Sequence, residues 1–189
     1  YNKTRICAVL IIQPFHRFER WYLLMDNIVL SLLVDNTSGV LSRVSGLFSR
    51  RGYNIDSVTV GVTENPAYSR MTVAVSGDNA SLSQIKKQLN KLEDVVEIVE
   101  LEPGKSVCRE LVMIKVECGP ERRQQVSSIA DIFRANIVDV SKESMIIALT
   151  GSSSKMNAFV ELLEDFNITE IARTGITGLA RGSKDVAFF

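Results

Sequence analysis

The residues best suited to bind a ligand form a short polar turn, residues 35–41, between an apolar run and a segment with apolar residues at helical spacing. The turn should therefore join a strand to a helix. The first amides of a helix have no acceptor inside it, and here they belong to Gly39, Val40 and Leu41. Such amides favour an anion, and a carboxylate gains roughly 0.3 to 1 kcal/mol from the helix dipole. Gly39 has no side chain, which permits close approach of a ligand.

Two asparagines could contribute to the same chemistry. Asn36 lies in the turn and Asn54 precedes a later strand, and an amide side chain can accept from an ammonium or donate to a carboxylate. The residue chemistry alone leaves a second interpretation open, in which Thr37 or Ser38 caps the helix and the asparagines only form turns. A nucleotide phosphate is not indicated, because the turn has neither a P-loop lysine nor a G-x-G-x-x-G motif.

The composition argues against several classes of function. Among the 189 residues, 22 Lys and Arg balance 22 Asp and Glu, which gives no electrostatic case for binding nucleic acid. The local cluster of cations, Arg50 and Arg51 with Arg43 nearby, is interpreted as marking a helix C-terminus. A single histidine, His16, argues against catalysis that depends on histidine as a base or a metal ligand.

The cysteines and the apolar runs indicate the compartment. Cys7, Cys108 and Cys118 lack the C-x-x-C spacing and the accompanying histidines of a zinc site, so no metal is expected and a reducing environment fits best. The longest apolar run near the start, residues 6–12, is too short to cross a membrane. The protein is therefore expected to be cytoplasmic, with no membrane contact.

The elements around the turn follow the order βαββαβ, which is the ferredoxin-like arrangement. The patterns predict a central strand at 28–34, a helix at 40–48 that ends at Gly52, a hairpin with strands at 54–63 and 69–76, a helix marked by Leu82, Ile85, Leu89 and Leu92, and a strand at 95–101.

The same order recurs roughly 80 residues later. The patterns there predict a strand at 110–116, a helix opened by Pro120, a hairpin at 137–140 and 144–150, a helix marked by Met156, Phe159, Val160 and Leu163, and a strand at 168–173. We therefore predict an α+β protein with two tandem ferredoxin-like domains. The predicted boundaries are an N-terminal extension at 1–26, a first domain at 27–102, a linker at 103–107, a second domain at 108–182 and a tail at 183–189.

Several stretches also carry a family pattern over about residues 27–182. They read NTSGVLSRV from 36, LFSRRGYNI from 47 and SRMT from 69 in the first half, with IFR from 132, IVDV from 137, ARTG from 172 and GLARG from 178 in the second. These stretches closely resemble the small, regulatory subunits of acetohydroxyacid (acetolactate) synthase, and the family pattern is most specific between Gly39 and Asn54.

The resemblance implies an ACT domain in the first half and a homodimer in which two such domains join their sheets side by side. It implies a non-catalytic chain that activates a separate catalytic subunit and confers feedback inhibition by valine. The catalytic subunit would hold thiamine diphosphate, magnesium and FAD, and this chain would hold no cofactor. The implied effector contacts are Asn36, Gly39, Val40 and Leu41 from one subunit with Asn54, Ile55 and Val60 from the other.

The second half lacks an equivalent of the polar turn, because residues 117–120 read ECGP in place of the Asn-x-x-Gly element. One effector site per chain is therefore expected. A tandem ACT amino-acid sensor that acts on another enzyme or in transcription would share the turn and the fold. It would not share the closing stretch of the second half, at residues 173–182.

Overall fold

A computed structural model of the protein describes residues 26–182. The predicted tail at 183–189 and, apart from its last residue, the predicted extension at 1–26 lie outside the described residues.

The first unit has the predicted order βαββαβ. Its elements are β1 (Asp26–Asp35), α1 (Val40–Arg50), β2 (Ile55–Val62), β3 (Tyr68–Gly77), α2 (Asn79–Leu89) and β4 (Val95–Glu100). The strands form an antiparallel sheet in the order β2-β3-β1-β4. This arrangement confirms that the first strand is an inner strand, and it leaves β2 and β4 at the two edges.

Both helices pack on one face of this sheet because each presents an apolar stripe to it. Phe48 of α1 and Ile85 of α2 are fully buried against Leu30 and Leu32 of β1. Burying a side chain of this size contributes about 1.5 to 3 kcal/mol. Gly52 adopts a φ of 71° just beyond α1, which confirms the predicted helix end.

The second unit repeats the topology of the first. Its elements are β5 (Ser106–Glu117), α3 (Arg123–Phe133), β6 (Asn136–Val140), β7 (Ser144–Gly151), α4 (Ser153–Leu163), β8 (Ile168–Arg173) and β9 (Thr177–Ala180), with a short 3-10 turn at Glu164–Phe166. The sheet order β6-β7-β5-β8 matches that of the first sheet strand for strand. Two tandem ferredoxin-like units are thereby confirmed.

Three details differ from the sequence prediction. The helix expected to open at Pro120 begins at Arg123, because the Arg122 amide donates to the Gly119 carbonyl at 3.1 Å and closes a turn first. Leu92 lies beyond the end of α2, although it still packs against the core. Strand β5 begins at Ser106, inside the predicted linker, so the domain boundaries stay a prediction.

Strand β9 is an element that the sequence patterns did not predict. It pairs with the first residues of β5, with Ser106 opposite Ala180 and Arg109 opposite Thr177. The two strands form a short ribbon between the two units. Across residues 26–182, none of the helices has the length and apolarity needed to span a membrane.

Candidate functional site

The predicted ligand turn joins β1 to α1, and its backbone is held by neighbouring elements. The Asp35 amide donates to the Asp94 carbonyl at 2.9 Å, and the Asn36 amide donates to the Ala67 carbonyl at 2.8 Å. The N-cap residue of α1 is Gly39, which has a φ of 86° in the left-handed region. Glycine adopts this conformation without the steric cost that a Cβ would add.

The helix start carries no side-chain cap. No side chain accepts a hydrogen bond from the first turn of α1 at its N-cap, so the interpretation in which Thr37 or Ser38 caps the helix is wrong for the described turn. Gly39 occupies the N-cap position in a left-handed conformation, so neither Thr37 nor Ser38 is the N-cap residue. The first helical bond runs from the Arg43 amide to the Gly39 carbonyl at 2.9 Å. The amides that precede Arg43 in α1 have no acceptor inside the helix, which is the condition for an anion site.

Arg43 is the site residue that sequence reasoning missed. It lies in the first turn of α1, whereas Arg50 and Arg51 lie at the helix C-terminus, as the sequence predicts. Its Nε and Nη2 donate to the two carboxylate oxygens of Asp94 at 2.6 and 2.7 Å. The remaining nitrogen, Nη1, faces the turn, since a Cβ built on Gly39 would lie only 2.9 Å from it. The guanidinium therefore adds a fixed positive charge beside the uncapped amides.

The ion pair between Arg43 and Asp94 shifts the pKa of both groups. The hydrogen bonds from Arg43 hold the pKa of the Asp94 carboxyl below its ordinary value, and the bond to Asp94 raises the pKa of Arg43. Asp94 follows α2 and is distant from α1 in the sequence. The signal available in the sequence was the spacing of Arg43 four residues after Gly39, which places both on one side of the helix.

The side chain of Asn36 is engaged within its own chain. Its amide nitrogen donates to the Pro66 carbonyl at 2.9 Å, and its oxygen accepts from the Ser69 hydroxyl at 3.0 Å. These bonds tie the turn to the start of β3. An amide has two donor hydrogens and an oxygen with two lone pairs, so Asn36 retains one donor and one acceptor site for a ligand.

The remaining predicted contacts lie on or beside β2. Asn54 donates to Asp56 at 2.9 Å and precedes Ile55, which pairs with Val75 at the far end of β3. Ser69, the partner of Asn36, lies at the opposite end of β3. A single chain therefore keeps Asn36 and Asn54 at opposite ends of the sheet. Val60, which pairs with Met71, lies nearer to the turn.

Strand β2 is an open edge with an apolar face. Val58, Val60 and Val62 alternate along it, and they are 38, 49 and 62% exposed. Leu41, in the first turn of α1, is also exposed. Unpaired edge strands with apolar side chains are typical surfaces for pairing with another chain.

The described part of the chain shows no candidate metal-binding site. Within residues 26–182, no group of three or more His, Cys, Asp or Glu side chains is placed to hold a metal ion. Cys118 is buried, and this burial raises the pKa of its thiol, which makes it a weak nucleophile.

The two units define the class as a tandem ferredoxin-like α+β protein. Residues 30–97 match the family model described as the AHAS small subunit-like ACT domain. Residues 109–182 match the model described as the small subunit of acetolactate synthase.

Individual relatives agree with both family models. The chain is 49% identical to a probable acetolactate synthase small subunit of Methanothermobacter thermautotrophicus, over 84% of this chain and 95% of that protein. It is 48% identical to an acetolactate synthase small subunit of Mycobacterium bovis, over 83% of this chain and 94% of the relative. A crystal structure of the acetolactate synthase small subunit from Thermotoga maritima superposes with a TM-score of 0.77 at 43% identity, covering 83% of this chain and 98% of that one. The protein belongs to the family of acetolactate synthase small subunits.

Proposed function

We propose that this chain is the non-catalytic, regulatory subunit of acetolactate synthase in branched-chain amino-acid biosynthesis. It stimulates a separate catalytic subunit in the cytoplasm and makes that subunit sensitive to inhibition by valine. Thiamine diphosphate, magnesium and FAD belong to the catalytic subunit in this proposal, and this chain holds none of them. Membership of the small-subunit family supports the partnership.

The observation that carries the effector proposal is the uncapped start of α1 beside Arg43. The turn presents amide donors, a left-handed Gly39 and a guanidinium whose Nη1 faces the same point. A carboxylate bound there would gain from the helix dipole and from a charge-assisted hydrogen bond. The exposed apolar side chain of Leu41, and that of Val60 from the second copy, suit a small aliphatic amino acid.

A site shared between two subunits explains why one chain separates the two asparagines. Antiparallel pairing of β2 with the β2 of a second copy, about a twofold axis, would bring the Asn54 end of one strand toward the far end of the other. The turn that contains Asn36 lies at that far end. The proposed dimer therefore assembles Asn36, Gly39, Val40 and Leu41 of one subunit with Asn54, Ile55 and Val60 of its partner.

The second domain offers a contrasting turn. A Cβ built on Gly119 would lie 2.5 Å from a carboxylate oxygen of Glu121, so the chain places its own negative charge at this position. Gly39, by comparison, faces the positive charge of Arg43. The difference in charge supports one effector site per chain, located in the first domain.

The proposal is tested by reconstituting the chain with a thiamine-dependent catalytic subunit and measuring activity with and without valine. We expect stimulation by the wild-type chain and inhibition by valine. In Gly39→Asp, the new carboxylate would occupy the anion position beside Arg43, so valine should inhibit at concentrations at least about tenfold higher while stimulation persists.

Gly52→Asp is the matched control for this experiment. Gly52 has a similar positive φ of 71°, and a Cβ there meets nothing within 4 Å. It lies at the other end of α1, so this variant should keep normal valine inhibition. Normal inhibition in Gly39→Asp would overturn the site assignment, and a wild-type chain without stimulation or valine response would overturn the function.

A further inference from the structure

The three residues that connect β8 to β9, residues 174–176, reach across to the first domain; we refer to them as the connector. The Thr59 hydroxyl of β2 donates to the Ile176 carbonyl at 3.0 Å. The Ile176 amide donates in return to the Ser57 hydroxyl at 3.3 Å. The two hydrogen bonds fix the backbone of the connector against one strand of the other domain, and both span more than 110 residues of sequence.

The fit between the connector and β2 is close. Gly175 has a φ of 83°, and a Cβ built on it would lie 2.7 Å from the Cβ of Ser57. Real Cβ atoms do not approach other atoms so closely, so only glycine fits without displacing one of the two domains. The left-handed φ of residue 175 and the lack of space beside Ser57 therefore both favour glycine at this position.

Strand β2 carries this contact on one face and the proposed effector residues on the other. Successive side chains of a strand point to opposite faces, so Thr59 and Val60 face in opposite directions. Thr59 pairs with Thr72 of β3, which pairs with Ser31 of β1, and these two side chains are 1 and 2% exposed. The connector therefore contacts β2 on the face that Thr72 and Ser31 share. Val60 lies on the opposite face, where its pairing partner Met71 belongs to the core under the helices.

We propose that the connector is the contact through which occupancy of the effector site is passed from β2 to the second domain. This inference rests on the proposed function, since it assumes that an effector contacts β2 beside Val60. Binding that shifts β2 at a shared edge would move Ser57 and Thr59 with it, and their hydrogen bonds would carry the shift to Ile176. Residues 57, 59 and 175 are then positioning residues, and they do not contact the effector.

The experiment uses variants that loosen or crowd this contact in the reconstituted complex with the catalytic subunit. Thr59→Val removes one hydroxyl while keeping the β-branched shape, and Gly175→Ala introduces the collision with Ser57. Thr169→Val is the control for the first, because the Thr169 hydroxyl donates to the Lys115 carbonyl within the second domain. Gly182→Ala is the control for the second, with a φ of 86° and nothing within 4 Å of a new Cβ.

The measurements are valine binding by calorimetry and enzymatic activity with and without saturating valine. We expect Thr59→Val and Gly175→Ala to bind valine with an affinity close to that of the wild type. The ratio of uninhibited to inhibited activity should fall by about fivefold, as expected when one hydrogen bond of a coupling contact is lost. Both controls should keep the wild-type ratio.

Each result has one meaning. An unchanged ratio in both test variants, with a wild type that valine inhibits, would overturn the connector proposal and leave the proposed function standing. Loss of valine binding in the test variants would also overturn it, because the contact would then support the site itself. A wild type that neither binds valine nor is inhibited by it would overturn the proposed function and this inference with it.

Discussion

At the residue scale, the site depends on a contact that no local pattern reveals. The strand-to-helix turn and the glycine at its end were predictable, because an apolar run, a polar break and helical spacing all lie within 20 residues. The part played by Arg43 was not, because its orientation is set by Asp94, 51 residues away. Sequence spacing shows which residues share a face of one helix, but it does not show which distant side chain fixes a rotamer.

The pairing of Arg43 with Asp94 predicts a loss of stability in acid. The folded-state pKa of Asp94 lies below its ordinary value, so its contribution is present above an unfolded pKa of about 3.9 and is lost as pH falls through the lower, folded-state value. Asp94→Asn and Arg43→Gln should each reduce the part of the free energy of unfolding that disappears between neutral pH and that acid range. Urea denaturation at a series of pH values measures this difference.

Some acid dependence should remain in both variants. Asp78 accepts a hydrogen bond from the Ser81 amide at the start of α2, and this bond also lowers the pKa of its carboxyl. A profile in Asp94→Asn that is identical to the wild-type profile would show that the ion pair adds nothing to the stability of the turn.

At the scale of elements, periodicity predicted helices and strands well where each element packs on its own unit. It failed for β9, whose four residues include Gly178 and whose partners in β5 lie about 70 residues earlier. Pairing with a distant strand, rather than alternation within the segment, determines this element. The end of α1 was predictable because a left-handed Gly52 is a local signal.

The open edge at β2 predicts the oligomeric state. Val60→Glu places a charge on the strand that is proposed to pair with a second copy. The dissociation constant of the dimer should therefore rise at least about tenfold. Sedimentation equilibrium over a range of protein concentrations measures the change. Valine affinity should fall together with the dimer, because each proposed site needs both subunits.

The opposite edge of the same sheet supplies a matched control. Val96 of β4 is 40% exposed, close to the 49% of Val60, and it does not lie on the proposed interface. Val96→Glu should therefore remain as dimeric as the wild type. A folded Val60→Glu chain that dimerises normally would contradict pairing through β2.

At the scale of the whole molecule, the repeated topology was predictable and the relation between the two units was not. Each unit buries its own apolar cluster, which produces the recurring pattern in the sequence. The contact between the units runs through backbone groups of Ile176 and small side chains at Ser57 and Thr59. Such residues carry no hydrophobic periodicity, so only the folded chain reveals the contact.

We propose that the effector site is completed only by two chains, because its residues are separated within one chain. The turn with Gly39 and the segment with Asn54 lie at opposite ends of one sheet. The proposal therefore requires a second copy to bring them together.

Valine binding to a mixed dimer tests whether the site is shared between two subunits. One chain carries Gly39→Asp and the other Asn54→Ala, and the mixed dimer is purified through different affinity tags. Each variant homodimer should bind valine weakly, whereas the mixed dimer combines an intact turn from one chain with an intact Asn54 from the other. Calorimetry should then detect one site of wild-type affinity per mixed dimer. A mixed dimer that binds valine no better than the two homodimers would contradict a site shared between subunits.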